Sequence, residues 1–123
     1  MTDADHIMQA RHIFASLKKL SMPEDYLAIA DGAMIVGYHL GNALLHKHGV
    51  LAETEHANTP SKLDRPINAL PAPIQAAYEA FAELEKLRFD YVRSASKYDA
   101  RLASVVWLHL ETMQRACRDE LTG

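Results

Sequence analysis

His39, Asn42 and His46 stand three and four residues apart, a spacing that on a helix puts them on one face with Tyr38 beside them. An imidazole, an amide and a phenol in one strip suit acid–base work, or the holding of a phosphate or a base. They suit equally well a loop that crosses the helix, because buried imidazoles and amides need hydrogen-bond partners in any case. A second group closes a later helical stretch, Leu87-Arg88-Phe89-Asp90-Tyr91-Val92-Arg93-Ser94. Cations there complement the negative end of a helix. Arg88 and Arg93 can also present forked donors to a phosphate, with Tyr91 or Tyr98 as a stacking surface.

Other reactive residue types lead less far. Seven residues of helix separate the backbones of His39 and His46 by roughly 10 Å, too far for one metal ion bound at about 2 Å. Glu53 and His56 make one Glu-x-x-His, whereas di-iron bundles use two such motifs with two further glutamates. No metal ligands and no cofactor are therefore expected. Cys117 sits on an apolar stripe with no catalytic partner near it in sequence, so a buried structural thiol is expected. His109 lies on the same stripe between Val106 and Met113, the place of a core or interface histidine.

The elements that must position these residues come from an ordinary globular composition. With 123 residues, 49% hydrophobic and 24% charged, the chain is long enough for one core and too short for two, so residues 1 to 123 read as a single domain. A formal charge of −3 gives no general attraction to phosphate backbones; nucleic-acid binding would need a local basic face. Protonation of the 7 histidines in mild acid would reduce or reverse that negative charge. One cysteine excludes an intrachain disulfide, and the acidic start Met-Thr-Asp-Ala-Asp-His has no secretory pattern, so a cytoplasmic location is expected.

Apolar spacing predicts an all-α, up-and-down bundle of four to five helices. The first is expected from about residue 3 to 20, with Ile7, Ala10, Phe14 and Leu17 as its stripe and Thr2 as its cap. Ser21-Met22-Pro23-Glu24 reads as a capping box that opens a second helix running to His48 and stopping at Gly49. Residues 27 to 45 are nearly all apolar or small, and the step from Gly37 to Gly41 fits a packed transmembrane helix. Asp31, His39 and Asn42 argue instead for the central helix of a soluble bundle, with Gly32, Gly37 and Gly41 allowing a neighbour to approach closely, within the chain or across a dimer. Residues 50 to 72 form a proline-broken connection in which Thr59-Pro60 can start a single turn with Leu63 docked on the core. The third helix is expected from near Pro73 to near Arg93, buried along Ile74, Ala77, Phe81, Leu84, Leu87 and Tyr91. A fourth, capped by Ser94 or Ser96, runs to about Leu121 with Leu102, Val106, Met113 and Cys117 inside.

The order of these pieces resembles the HEPN superfamily of small helical-bundle proteins. The resemblance rests on the run from Gly37 through Tyr38-His39-Leu40-Gly41-Asn42 to His46-Lys47-His48-Gly49-Val50, the following loop with His56, and the ending Leu84-Glu85-Lys86-Leu87-Arg88-Phe89-Asp90-Tyr91, and spans about residues 8 to 120. It implies a four- to five-helix bundle, frequently a homodimer, found beside nucleotidyltransferases, in toxin–antitoxin pairs or in RNA-cleaving defence proteins. Active HEPN ribonucleases carry an arginine followed after four to six residues by a histidine. Here Arg101 and His109 are separated by seven, and each added residue turns a helical side chain by about 100°. The non-catalytic branches are the closer comparison: a module that binds a protein partner or a nucleotide-like ligand through Tyr38, His39, Asn42, His46, Arg88, Tyr91 and Arg93. The alternative is a metal-independent ribonuclease using Arg101 and His109.

Overall fold

The computed structural model describes residues 2–94 and 97–121, without the side chain of Ala103. It consists of α1 (Asp3–Leu17), α2 (Tyr26–Lys47), α3 (Ala72–Arg88) and α4 (Ala100–Leu121), with two single turns, Pro60–Lys62 and Ile67–Ala69, in the long connection. The chain is 74% helical with no strand among the described residues, which is the all-α bundle expected. The helices run up and down. Leu17 lies against Gly32 while His6 meets His39, so α1 is antiparallel to α2. Arg88 bonds Asp31 while Tyr78 lies against Gly41, so α3 is antiparallel to α2 as well. His48 bonds Glu120 at 2.8 Å and the Cys117 thiol donates to the Leu40 carbonyl at 3.6 Å, which ties α4 to the later half of α2.

Local chemistry explains most of the helix ends. Thr2 Oγ1 accepts from the Asp5 amide at 3.1 Å while the Asp5 carboxylate accepts from the Thr2 amide at 3.2 Å, closing the reciprocal cap of α1. Gly49 takes φ +68° past the end of α2, the left-handed conformation that favours glycine. Pro60 opens the expected turn, and Leu63 packs on the core.

Three boundaries differ from the sequence reading. The first helix stops at Leu17, beyond which Lys19 and Leu20 make tighter turn bonds to Ser16 and Leu17. The second begins at Tyr26 rather than at Ser21. The Ser21 amide is taken at 2.9 Å by the Asp25 carboxylate, not by Glu24, so residues 21 to 25 close a turn ahead of the helix. The third keeps α geometry to Arg88 and then widens to a π turn over Phe89–Arg93. Asp99 caps α4 by accepting from the amides of Arg101 and Leu102 at 2.9 and 3.4 Å; Ser96, one of the two expected caps, lies outside the described residues.

All four helices contribute to one apolar core, and α2 is its axis. A Cβ on Gly37 would sit 2.7 Å from the Phe81 ring, so the close approach foreseen for this glycine is to α3 of the same chain. No helix among the described residues is long and apolar enough to cross a membrane. The Tyr78 hydroxyl, fully buried beside Gly41, has no hydrogen-bond partner among the described residues, and burial drives its pKa upward. Removing an unsatisfied buried hydroxyl without changing shape recovers its desolvation cost. Tyr78→Phe is therefore expected to be neutral or to stabilise the protein by about 1 kcal/mol in denaturant titration; a loss of stability would show that the hydroxyl has a partner.

Candidate functional site

The antiparallel pairing of α1 and α2 brings the start of the first helix against the end of the second, and four histidines meet there. His6 Nδ1 lies 2.9 Å from His39 Nδ1, and His6 Nε2 lies 3.1 Å from His56 Nε2. His46 Nδ1 lies 2.8 Å from Asp3 Oδ1, and His46 Nε2 lies 2.8 Å from the Glu55 carbonyl oxygen. A neutral imidazole has one donor and one acceptor nitrogen, so His6 gives one of its two contacts and receives the other. His46 meets acceptors on both sides, and both bonds form together only when both nitrogens carry hydrogen. Tyr38 edges the group, its ring centre 5.9 Å from that of His6 and 5.0 Å from that of His39.

Burial sets the charge of this cluster. His6 is 1% exposed. Burial first, then the neighbouring imidazoles His39, His56 and His46, push its pKa down to about 4, against a small opposing effect of Asp3. Burial also depresses His39 and His56, the latter with His46 as a second cause. These three are neutral at pH 7. Among the described residues, as they stand, no group of three or more histidine, cysteine, aspartate or glutamate side chains is placed to hold a metal ion; the Nε2 atom of His46 is turned onto the Glu55 carbonyl.

Asn42 does something different from its neighbours on the strip. Its amide donates to the Tyr38 carbonyl at 2.8 Å and the Ala57 carbonyl at 3.0 Å, and its oxygen accepts from the Ala57 amide at 2.9 Å. It is fully buried. Asn42 pins the connection to the core and fixes where His56 stands, its hydrogen bonds all going to the backbone of Tyr38 and Ala57.

The arginines lie on the other side of that pinned loop. Arg88 Nε donates to Asp31 at 2.8 Å, and with Tyr38, Asn58, Met34 and Ile35 the pair lines a cavity of about 270 Å³. Arg88 also lines a second cavity of about 490 Å³ with Arg93, Lys62, Asn58, Thr59, Ser61, Glu85 and Phe89. Glu85 is occupied by the Ser61 amide at 3.1 Å and the Ser61 hydroxyl at 2.6 Å. Phe89 is 61% exposed and also borders a more apolar depression of about 540 Å³ with Pro60, Ile67 and Ala82. The expected strip is thus split in two. His39 and His46 join the imidazoles, Arg88 and Arg93 line the basic cavity, and Tyr38 edges the imidazoles and lines the smaller cavity beside Arg88.

Tyr91 is not in that cavity. Its ring is buried and its hydroxyl bonds Asp99, an interaction that holds the Asp99 carboxyl below its usual range. Tyr98 stacks at a tilt on Tyr26, 5.6 Å between centres, instead of offering a face to a ligand beside Arg88. Arg101 is exposed on the first turn of α4, while His109 lines a separate depression with Glu79, Glu83, Leu108 and Thr112. Two carboxylates beside His109 repel a phosphate. Cys117 is buried, and its thiol is pushed up to about 12, mostly by burial.

The fold and these two sites define a class: an all-α bundle whose long connection supplies His56 to an imidazole cluster and Asn58, Thr59, Ser61 and Lys62 to a basic cavity. Comparison with protein-family models, curated proteins and solved structures returns no match. Asp3, His6, Lys62 and Phe89 are among the residues at these sites that escape sequence reasoning. Only His6 left a signal: His6, Ala10, Phe14 and Leu17 form the buried stripe of α1, at steps of four, four and three, whereas Ile7 lies at its edge.

Proposed function

We propose that this chain is a non-catalytic, HEPN-like helical module that binds a nucleotide-like ligand in the cavity at the end of α3. The observation that carries the proposal is the gathering of Lys62, Arg88 and Arg93 on one cavity of about 490 Å³ in a protein of net charge −3. The cavity's one carboxylate, Glu85, accepts two hydrogen bonds from Ser61 and keeps its charge, and Arg88 is paired with Asp31, so the cavity's positive excess rests on Lys62 and Arg93. Guanidinium forks suit phosphate oxygens, and the exposed ring of Phe89 offers a face on which a base can stack. The π turn supports this arrangement, since it carries the chain from Phe89 to Arg93 across the mouth of the cavity.

The test is titration of the purified chain with ADP, ATP and a short single-stranded RNA, followed by fluorescence or calorimetry at two salt concentrations. Arg93→Ala and Lys62→Ala are each expected to weaken binding about tenfold, with a shallower salt dependence. Affinity unchanged in both variants, or no binding by any of the three probes, would remove the proposal.

A further inference from the structure

The geometry points to a second site at the other side of the loop: we propose that His6, His46 and His56 bind one divalent transition-metal ion of the zinc class through their Nε2 atoms. The ring centres of these three residues are 5.9 Å (His6 to His46), 5.1 Å (His6 to His56) and 5.2 Å (His46 to His56) apart. A triangle of those sides has a centre roughly 3 Å from every ring, which is the sum of a metal–nitrogen bond of about 2 Å and the roughly 1 Å from a ring nitrogen to its ring centre. Two of the Nε2 atoms, on His6 and His56, already approach to 3.1 Å.

The surrounding hydrogen bonds hold the opposite nitrogens of two of these rings. His46 Nδ1 is held by the Asp3 carboxylate at 2.8 Å, and His6 Nδ1 is held by His39 at 2.9 Å. A metal-bound histidine characteristically uses its second nitrogen in this way, and the outer partner fixes the ring and strengthens the ligand. Asp3 also supplies a negative charge beside an incoming cation. His39 therefore acts as a positioning residue for His6. Neutral imidazole is the form that ligates.

One contact must change. His46 Nε2 rests on the Glu55 carbonyl, so binding requires a turn of that ring or a shift of residue 55, after which the imidazole trades its carbonyl bond for the metal. Three imidazoles leave a fourth tetrahedral position for water. Nitrogen ligands and this geometry favour zinc over magnesium or calcium, which prefer oxygen.

The experiment uses the full chain purified without an affinity tag and stripped with chelator. Zinc titration by calorimetry is expected to give one equivalent per chain, with micromolar or tighter affinity and a higher melting temperature. Cobalt substituted for zinc is expected to give the intense visible absorption of a four-coordinate ion. His56→Ala changes an exposed loop side chain and leaves the core intact; it is expected to weaken zinc binding at least tenfold. His6→Gln is expected to do the same, and His12→Ala, on an exposed face of α1, to change nothing. Stoichiometry far below one, or affinity that survives both His56→Ala and His6→Gln, would overturn the site. Because Arg93 and Lys62 are not involved, nucleotide binding and zinc binding succeed or fail separately.

Discussion

Asn42→Ala is expected to lower the unfolding free energy by about 3 kcal/mol, the largest effect anticipated for a single side chain outside the apolar core. The substitution removes three hydrogen bonds and leaves the amide and carbonyl of Ala57 facing a buried space without partners. Each such orphan costs about 1–3 kcal/mol, more than the net gain of a hydrogen bond made. Part of the loss is avoided if the loop lifts from α2 and lets water in. Hydrogen exchange distinguishes the two consequences: the Ala57 amide is expected to exchange much faster in the variant, while amides in the middle of α3 slow or quicken only with global stability. A change of less than about 1 kcal/mol, with Ala57 still protected, would mean that the connection is held by something other than Asn42.

Acid is expected to have a comparable effect, through His6. In the unfolded chain this residue titrates near pH 6.5, and in the native protein at about 4. Between those values the unfolded chain binds a proton that the native chain does not, so stability rises with pH there. The contribution is fully present above pH 6.5 and is lost as pH falls toward 4; it amounts to as much as about 3 kcal/mol. His39, His56 and His109 shift in the same direction and steepen the fall. His46 and Asp3 face the same group from α2 and α1, and Asp3 moderates the shift. Urea denaturation in chelator-containing buffer at pH 7.5 and pH 4.5 measures the drop, and His6→Gln is expected to flatten it. Equal slopes for the two proteins would show that His6 is not the group being forced to charge.

How much of this was legible beforehand depended on which residue carried the signal. The buried face of the third helix declared itself, because Ile74, Ala77, Phe81, Leu84 and Leu87 are unambiguously apolar at helical spacing, and all five are buried. Tyr91 admitted both a core and a ligand reading, because a tyrosine between two arginines looks the same in sequence whether its ring points out or in, and here the ring is buried. The second helix was legible as the core axis and misplaced at its start. Ser21 was offered two carboxylates, Glu24 and Asp25, and local pattern does not decide which one reaches its amide. Asn42 admitted both a loop-holding and a ligand-facing reading, and only the path of residues 55 to 58 separates them.

The sequence by itself determined an all-helical chain with an apolar, glycine-bearing central segment, since periodicity, caps and breakers act over a few residues and need no long-range information. The tertiary structure decided which polar groups meet. His6 is 40 residues from His46 and 50 from His56, and they come together because α1 folds back along α2 and Asn42 holds the loop down. Lys62 joins Arg88 and Arg93 by the same folding of the connection. Imidazole is apolar enough to lie on a buried stripe and polar enough to demand a partner there, so its spacing in the chain says where it points and not what it will touch.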